Sequence, residues 1–416
     1  MAKVLLHTLV FAPDGVSTAH LMTDLARELG QLGHSVEVLT TTPHYNPDLI
    51  MSRQQPLRKR WFGLLYTSLY NNMPVWHVRI PMKGKRIISR IFDYAWFHLM
   101  SLFVGISGFK SYDIVIAPSP PLSIGVIGWL LGVYRRVPFV YNIQEMYPDF
   151  AINQRIVKNR LIIKLLRILE RFVYTQSKVL VPISERFSNT LKERGVPKEK
   201  IRVIPNFVDT ELYKPLPRKN PFSDKYDFMK NFVVLYGGNL GLSQDWESLL
   251  LASKAVMSLP ITFLIVGDGV LRHWLEQEAN KRGLHNIKLL DYQPRETMPY
   301  VYASCDICTI PMKKNTTSDT FPSKIYTIMA CAKPVIASAD GDSELRWLIK
   351  QAQCGRLIQP ENPERYTEGI VQAFEDRSHL PTEGERGRLY ILSRYSKEFV
   401  AHRYKELIDE LTIKRN

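Results

Sequence analysis

The sequence predicts an α/β protein of two doubly wound, Rossmann-like domains. Three observations carry that prediction. A length of 416 residues is too great for one ordinary hydrophobic core. Short apolar runs alternate with stretches of helical periodicity, as in βαβ units. Glycine turns follow several of those runs, where open parallel sheets bind ligands. Composition agrees, with 45% hydrophobic and 23% charged residues and no low-complexity tail.

The first apolar run, VLLHTLVF (4–11), reads as a buried strand, since the N-terminus lacks the small-residue cleavage site of a secretory signal. APDGVST is a glycine-containing turn. TAHLMTDLARELGQLG (18–33) puts Leu21, Met22, Leu25 and Leu29 on one helical face and closes on Gly33. Strands follow at SVEVLTT, DIVIAPS (113–119), PFVYNIQ (138–144) and KVLVPIS (178–184). The apolar stretch 94–109 is shorter than the roughly 20 residues of a membrane span, so it reads as a core or interfacial helix, and 120–134 as a crossover helix. After RVIPNFVDTELYKPLPRKNP (202–221) the pattern breaks as a linker does, then restarts with NFVVLYGGNLG (231–241), TFLIVGDG (262–269), IKLLD, DICTIP and KPVIAS. The expected domains are 1–210 and 211–385, with a helical segment 386–416 packing back on the first.

Cysteine usage implies a reducing compartment. Cys305, Cys308, Cys331 and Cys354 suggest no disulfide framework, and no second Cys/His pair stands at zinc-ligand spacing from Cys305-x-x-Cys308. Core packing is the reading for the pair, and no metal site is expected.

The net charge of +15 attracts anionic partners. Residues 51–110 hold ten Lys/Arg against one acid, Asp93, interleaved with Trp and other aromatics. Such a block fits an anionic membrane surface or a solvated positive face; nucleic acid is the weakest of the three readings. Arg58, Lys59, Lys83, Lys85 and Arg86, with the amphipathic stretch RIVKNRLIIKLLRILERF (155–172), are the candidates for that surface.

Chemistry belongs at the carboxyl ends of the strands, where turn amides and helix N-termini offer positive partial charge. Gly15, Gly237, Gly238, Gly241, Gly267 and Gly269 mark such ends, and none forms the G-x-G-x-x-G fingerprint, which disfavours a nicotinamide dehydrogenase. SDTFPSKIYTIMACAKPVIAS (318–338) brings an acid, a lysine suited to a diphosphate and a helix start together. Asp319, Ser323 and Thr327, spaced by four, share a face if the helix reaches that far back. In the first half, YNIQEMYPDF (141–150) sets Gln144, Glu145 and Asp149 just beyond a buried strand, with Glu145 placed to contact a sugar hydroxyl or act as a base.

These residues carry a family resemblance. With FAPDGVSTAHLMTDLARELGQLGHSVEVLTTTPHY, YNIQEMYPD, ERFVYTQSKVLVPISE, VIPNFVD, YGGNLG, FLIVGDG and PSKIYTIMACAKPVIA, the chain resembles GT4-type glycosyltransferases, in particular the bacterial exopolysaccharide and O-antigen fucosamine and colanic acid groups. The resemblance spans nearly the whole length. It implies the GT-B arrangement, two facing Rossmann-like domains with an interdomain cleft, and transfer with retention of anomeric configuration. The second domain then holds a UDP-, GDP- or similar nucleotide sugar, and the first offers the acceptor surface for a lipid-linked saccharide at the inner membrane face. Gly15 would offer its amide to the diphosphate, with Gly238 and Asn239 beside it and Gly267 at the neighbouring strand end. Lys324 would neutralise phosphate charge without a metal. Asp291, Tyr292 and Gln293 would lie against the base.

Two departures stand out. The family's Glu-x7-Glu pair reads Asp319 and Thr327 here, so one carboxylate is shortened and the ribose acceptor is lost. The cation that often follows the glycine turn is replaced by Leu242-Ser243-Gln244. Gln144 stands near the position of a catalytic histidine of some relatives, with His20 and His44 as other candidates. Two further readings remain: a GT-B epimerase, and a non-catalytic basic binding protein whose glycines are only turns.

Overall fold

The structure, a computed structural model, describes residues 1–82, 87–153, 156–316 and 321–413. The chain forms two compact units, Met1–Asn206 with Lys397–Asn416, and Phe207–Ser396. The return to the first unit begins at Lys397, later than the 386 expected. The helix Leu380–Leu392 packs on Lys324–Ala330 of the second unit, and only Lys397–Ile413 packs on Ser17–Gln31 of the first.

In the first unit β1 (Lys3–His7), β2 (Ser35–Thr41), β3 (Arg58–Arg60), β4 (Leu65–Tyr70), β5 (Met73–Val78), β6 (Ile114–Pro118), β7 (Phe139–Ile143) and β8 (Val179–Pro182) form one sheet in the order 3-4-5-2-1-6-7-8. Only β4 runs against the rest. Val4 pairs with Val36 on one side and Ile114 on the other, so the centre is a run of branched apolar residues buried on both faces, as parallel sheets require. β1 is shorter than the apolar run suggests. Thr8 Oγ1 donates to Val10 O at 3.0 Å and Ala12 N–H to Thr23 Oγ1 at 3.0 Å, turning residues 8–12 into a loop that is still buried. The hairpin β3 to β5 is not readable from the basic block. Its edge strand is three exposed cations in a row, a charge pattern that blocks further pairing and hides the strand.

The second unit is a six-stranded parallel sheet: β9 (Phe232–Gly237), β10 (Ile261–Val266), β11 (Ile287–Leu290), β12 (Ile307–Pro311), β13 (Val335–Ser338) and β14 (Gly355–Ile358), in the order 11-10-9-12-13-14. Val233, Leu235 and Ile310 pack on one face against Met329 and Leu348; Val234, Tyr236 and Phe263 pack on the other against Trp246 and Leu249. Each such side chain contributes roughly 1.5–3 kcal/mol on burial. Strand order reverses between β9 and β12, and likewise between β1 and β6 in the first unit. Those reversals are where open α/β sheets leave a crevice for a ligand.

All four cysteines are free and buried, and the Cys305 and Cys308 sulfurs lie 3.6 Å apart within the second core. Burial pushes the Cys308 thiol well above its usual range, as suits inert packing. Among the described residues no helix is long and apolar enough to cross a membrane.

Candidate functional site

At the reversal in the second unit, the turns after β9, β10 and β11 are laced amide to carbonyl. Gly238 N–H donates to Val266 O at 2.9 Å, Gly267 N–H to Leu290 O at 3.0 Å, and Leu240 N–H to Asp268 O at 2.9 Å. Gly238 and Gly267 have φ of +132° and +149°, and a Cβ on Gly267 would stand 1.9 Å from Gly238 O. Only glycine fits there. Gly267→Ala is therefore expected to destabilise the second unit by about 3 kcal/mol or more and to abolish ligand binding at these turns, checked by denaturant unfolding and nucleotide titration. Wild-type stability in that variant would refute the stacked-turn geometry.

Lys324, the first residue of the helix Lys324–Ala330, reaches over this lacework. Its Nζ lies 3.7 Å from the centroid of the Tyr236 ring and 2.9 Å from where a Cβ on Gly238 would be. Burial lowers its pKa to about 7. No carboxylate among the described residues pairs with it, so a cation stands beside exposed turn backbone with an aromatic face as its main neighbour.

Other residues nominated from sequence have varied settings. Asn239 is exposed, and its carbonyl accepts the Tyr236 hydroxyl at 2.6 Å. Ser323 precedes the helix and makes no capping bond with its side chain. The helix starts at Lys324, not earlier, because Pro322 disfavours helical backbone at Phe321. The expected shared face of Asp319, Ser323 and Thr327 is corrected accordingly, and Asp319 itself lies outside the described residues. The Thr327 hydroxyl donates to Lys324 O at 2.8 Å and meets the Tyr302 hydroxyl at 3.2 Å, so it ties down the helix that carries Lys324. Tyr292 is 52% exposed, and Gln293 donates to Asp291 O at 3.0 Å. Gln244 folds back to accept the Gly241 amide at 2.9 Å.

Sequence reasoning missed Arg272. Its guanidinium donates to Gly267 O and Leu290 O, both at 2.8 Å, and lies 3.2 Å from the Asp291 carboxylate. It thus fastens the glycine turn to the 291–293 loop. The signal was an arginine opening the helix Arg272–Lys281, an end where the helix dipole disfavours a cation unless carbonyls hold it.

In the first unit a row of amides stands at the carboxyl ends of β7 and β8. Asn142 Nδ2 donates to Val181 O at 3.0 Å, Gln144 Nε2 to Asn142 Oδ1 at 2.6 Å, and Asn206 Nδ2 to Gln144 Oε1 at 2.7 Å. The Val181 carbonyl can only accept, so it fixes the orientation of all three amides. Glu145 lies beside them, half-buried. Burial raises its pKa above the usual carboxylate range, and it makes no ion pair or side-chain hydrogen bond among the described residues. That is the environment of a proton-transfer group. Asp149, the other acid of this segment, is paired with Arg167 and Arg194, which also hold Glu170.

Gly15 N–H, assigned by resemblance to a diphosphate, donates to Asn46 O at 2.7 Å in this structure. The same loop is pinned by Asp14, whose carboxylate accepts the amides of His44, Tyr45 and Asn46. His44 is buried, with Nδ1 3.0 Å from Thr41 Oγ1, and His20 is half-buried in the helix Ser17–Gln31.

Arg58 and Lys59 are exposed on β3; Lys83, Lys85 and Arg86 lie outside the described residues. Next to Arg58 and Lys59, Phe62 is fully exposed, and Trp61, 4.7 Å from the Phe103 ring, is half-exposed. Leu161, Ile162, Leu165 and Ile168 are likewise exposed on the helix Arg160–Gln176, among Lys164 and Arg160.

Comparison with known proteins gives the family and the fold. Residues 219–389 match the family model for glycosyl transferases group 1, and residues 18–212 that for glycosyltransferase family 4. The chain is 23% identical, over 97% of its length and 98% of the relative's, to the putative colanic acid biosynthesis glycosyl transferase WcaI of Escherichia coli K12. It is 24% identical, over 64% of its length and 68% of the relative's, to an E. coli UDP-Gal:alpha-D-GlcNAc-diphosphoundecaprenol alpha-1,3-galactosyltransferase. Among solved structures, Anabaena HepE in complex with UDP-glucose superposes with a TM-score of 0.73 at 17% identity, covering 99% of this chain and 100% of that one. The two models, one on each unit, and the shared fold lead to one assignment: the chain belongs to the GT4-type glycosyltransferases and has their GT-B fold.

Proposed function

We propose that the protein transfers a sugar, with retention, from a UDP- or GDP-linked donor to a lipid-linked saccharide at the inner face of the cell membrane. The observation that carries this reading is Lys324, a half-buried cation with no counter-ion among the described residues, standing over the Gly238 turn. A diphosphate supplies the missing negative charge, and its departure from the sugar is the step such a cation assists. In the reaction the acceptor oxygen bonds to the anomeric carbon on the face from which the diphosphate oxygen departs, so configuration is retained, and the acceptor proton leaves to a base. Lys324 and the turn amides stabilise the departing diphosphate, so no metal is required. Glu145 takes the acceptor side. HepE, with UDP-glucose in its structure, supports the donor class, and the E. coli diphosphoundecaprenol galactosyltransferase supports a lipid-linked acceptor.

Incubation of purified protein with UDP- and GDP-sugars and a bacterial lipid extract tests the proposal. Labelled sugar is expected in the lipid fraction with retained configuration, and chelation by EDTA is expected to leave the rate unchanged. Free sugar released at equal rate without acceptor would indicate an epimerase or hydrolase instead. Glu145→Gln is expected to lower kcat by about 10²–10⁴-fold while donor affinity is retained; an unchanged kcat removes Glu145 from the chemistry.

The exposed Phe62, Trp61 and helix 160–176 side chains beside cations support the membrane assignment. Each cation near an anionic bilayer contributes about 1 kcal/mol. Neutralising Arg58, Lys59, Lys83, Lys85 and Arg86 together is therefore expected to reduce partition onto phosphatidylglycerol vesicles by at least ~100-fold. Unchanged cosedimentation would exclude this surface.

A further inference from the structure

The first unit carries a second concave site at the opposite pole of its sheet from Glu145 and the amide row. It is an open groove at the amino-terminal ends of β7 and β8 with a volume of about 940 Å³, within the range of small-molecule sites. Trp129, Val133 and Phe139 give it an apolar wall. Arg136, Lys178, Lys200 and Arg202 line it, against two acids, Glu199 and Glu410. Arg202 lies 3.7 Å from Glu410, and Lys200 Nζ donates to Thr175 O at 2.6 Å. The side chains of Arg136 and Lys178 form no ion pair or hydrogen bond among the described residues and are exposed. Lys178 and Lys200 both line the groove, and burial, with the Lys178 charge next to it, lowers Lys200 below the usual lysine range. Glu410 and Leu411 of the C-terminal helix close one side, so an occupant would link that helix to the sheet.

We propose that this groove is an accessory binding site for an amphipathic phosphate ester, with its apolar part on Trp129 and Val133 and its phosphate between Lys178 and Lys200. An apolar wall next to unpaired cations selects a ligand with both features over a bare anion or a bare hydrocarbon. The same chemistry reaches the groove from a lipid headgroup or from a soluble ester. The inference does not depend on the transferase reading.

Geranyl diphosphate below its micellar concentration is the probe, titrated calorimetrically into the full chain with the donor site saturated by UDP. One equivalent is expected to bind, at least tenfold more tightly than inorganic pyrophosphate, and at least tenfold more weakly to Lys178→Glu. That variant changes an exposed, unpaired side chain, and its melting temperature reports whether it folds. Arg136→Glu gives a second, independent reading. If phosphatidylglycerol vesicles displace the probe, the natural source is a lipid headgroup; if they do not, it is a soluble ester. No binding under saturating UDP, or binding to both variants as tight as to the wild type, overturns the proposal.

Discussion

Lys324→Ala is expected to lower affinity for the nucleoside diphosphate about 100-fold and turnover by about 10²–10³-fold, the range for losing a preorganised charge at a developing anion. The free protein is expected to unfold at or above the wild-type temperature, because the variant removes a half-buried cation that no carboxylate among the described residues compensates. The pH profile distinguishes this account from a general loss of fit. Lys324 titrates near pH 7 in the free protein, lowered by burial. A diphosphate against the ammonium favours the charged form and raises that pKa, so binding takes up a proton wherever free Lys324 is neutral. Affinity is then flat below pH 7 and falls up to tenfold per pH unit above it. Calorimetry from pH 6 to 9 reads this slope directly. Lys324→Ala should abolish it, and a wild-type profile flat to pH 9 would mean that Lys324 does not face the phosphates.

Mild acid is expected to unfold the first unit before the second. Burial lowers His7 to about 3 and His77 and His98 to about 4, with the neighbouring His98 adding to the effect at His7. All three belong to the first unit. Their folded pKa values are depressed, so below about pH 6.5 the unfolded chain binds protons that the folded chain refuses. Stability is lost as pH falls through 6.5 and continues to fall until the folded values are reached. Three such groups give a slope of up to about 4 kcal/mol per pH unit between roughly pH 6 and 4. His7 stacks on Phe97 at 5.4 Å with both ring nitrogens unpartnered among the described residues, so His7→Phe should remove about a third of the slope and stabilise the protein at pH 5. Urea titrations at pH 7, 6 and 5 check this. A first unit as stable at pH 5 as at pH 7 would show that these histidines are not buried as described.

Much of the fold was legible because parallel strands buried on both faces write themselves as short apolar runs. VVLYGG and FLIVGDG marked β9 and β10 with their turns, and those turns proved to be one stacked unit around Gly238 and Gly267. Lys324 was legible because a lysine at a helix start has a chemical use. The failures have physical causes. β1 was read too long because burial continues past His7 after pairing has stopped. β3 was invisible because an edge strand protected by Arg58, Lys59 and Arg60 has no apolar alternation. The pairing of Asp149 was not legible because its partners Arg167 and Arg194 lie far along the chain. Arg272 went unremarked because carbonyl acceptors leave no trace in side-chain sequence.

The most direct test of the central claim is a thermal-shift panel of UDP, GDP, ADP and TDP and their sugar conjugates on the wild-type protein and on Lys324→Ala. At a hundredfold excess over Kd, a ligand specific for the folded state stabilises by about 2.7 kcal/mol, a shift of roughly 2–4 °C. The account predicts that shift for one base, and its loss in Lys324→Ala. No shift with any diphosphate, or an equal shift in the variant, would contradict a donor site built on Lys324 and the Gly238 turn.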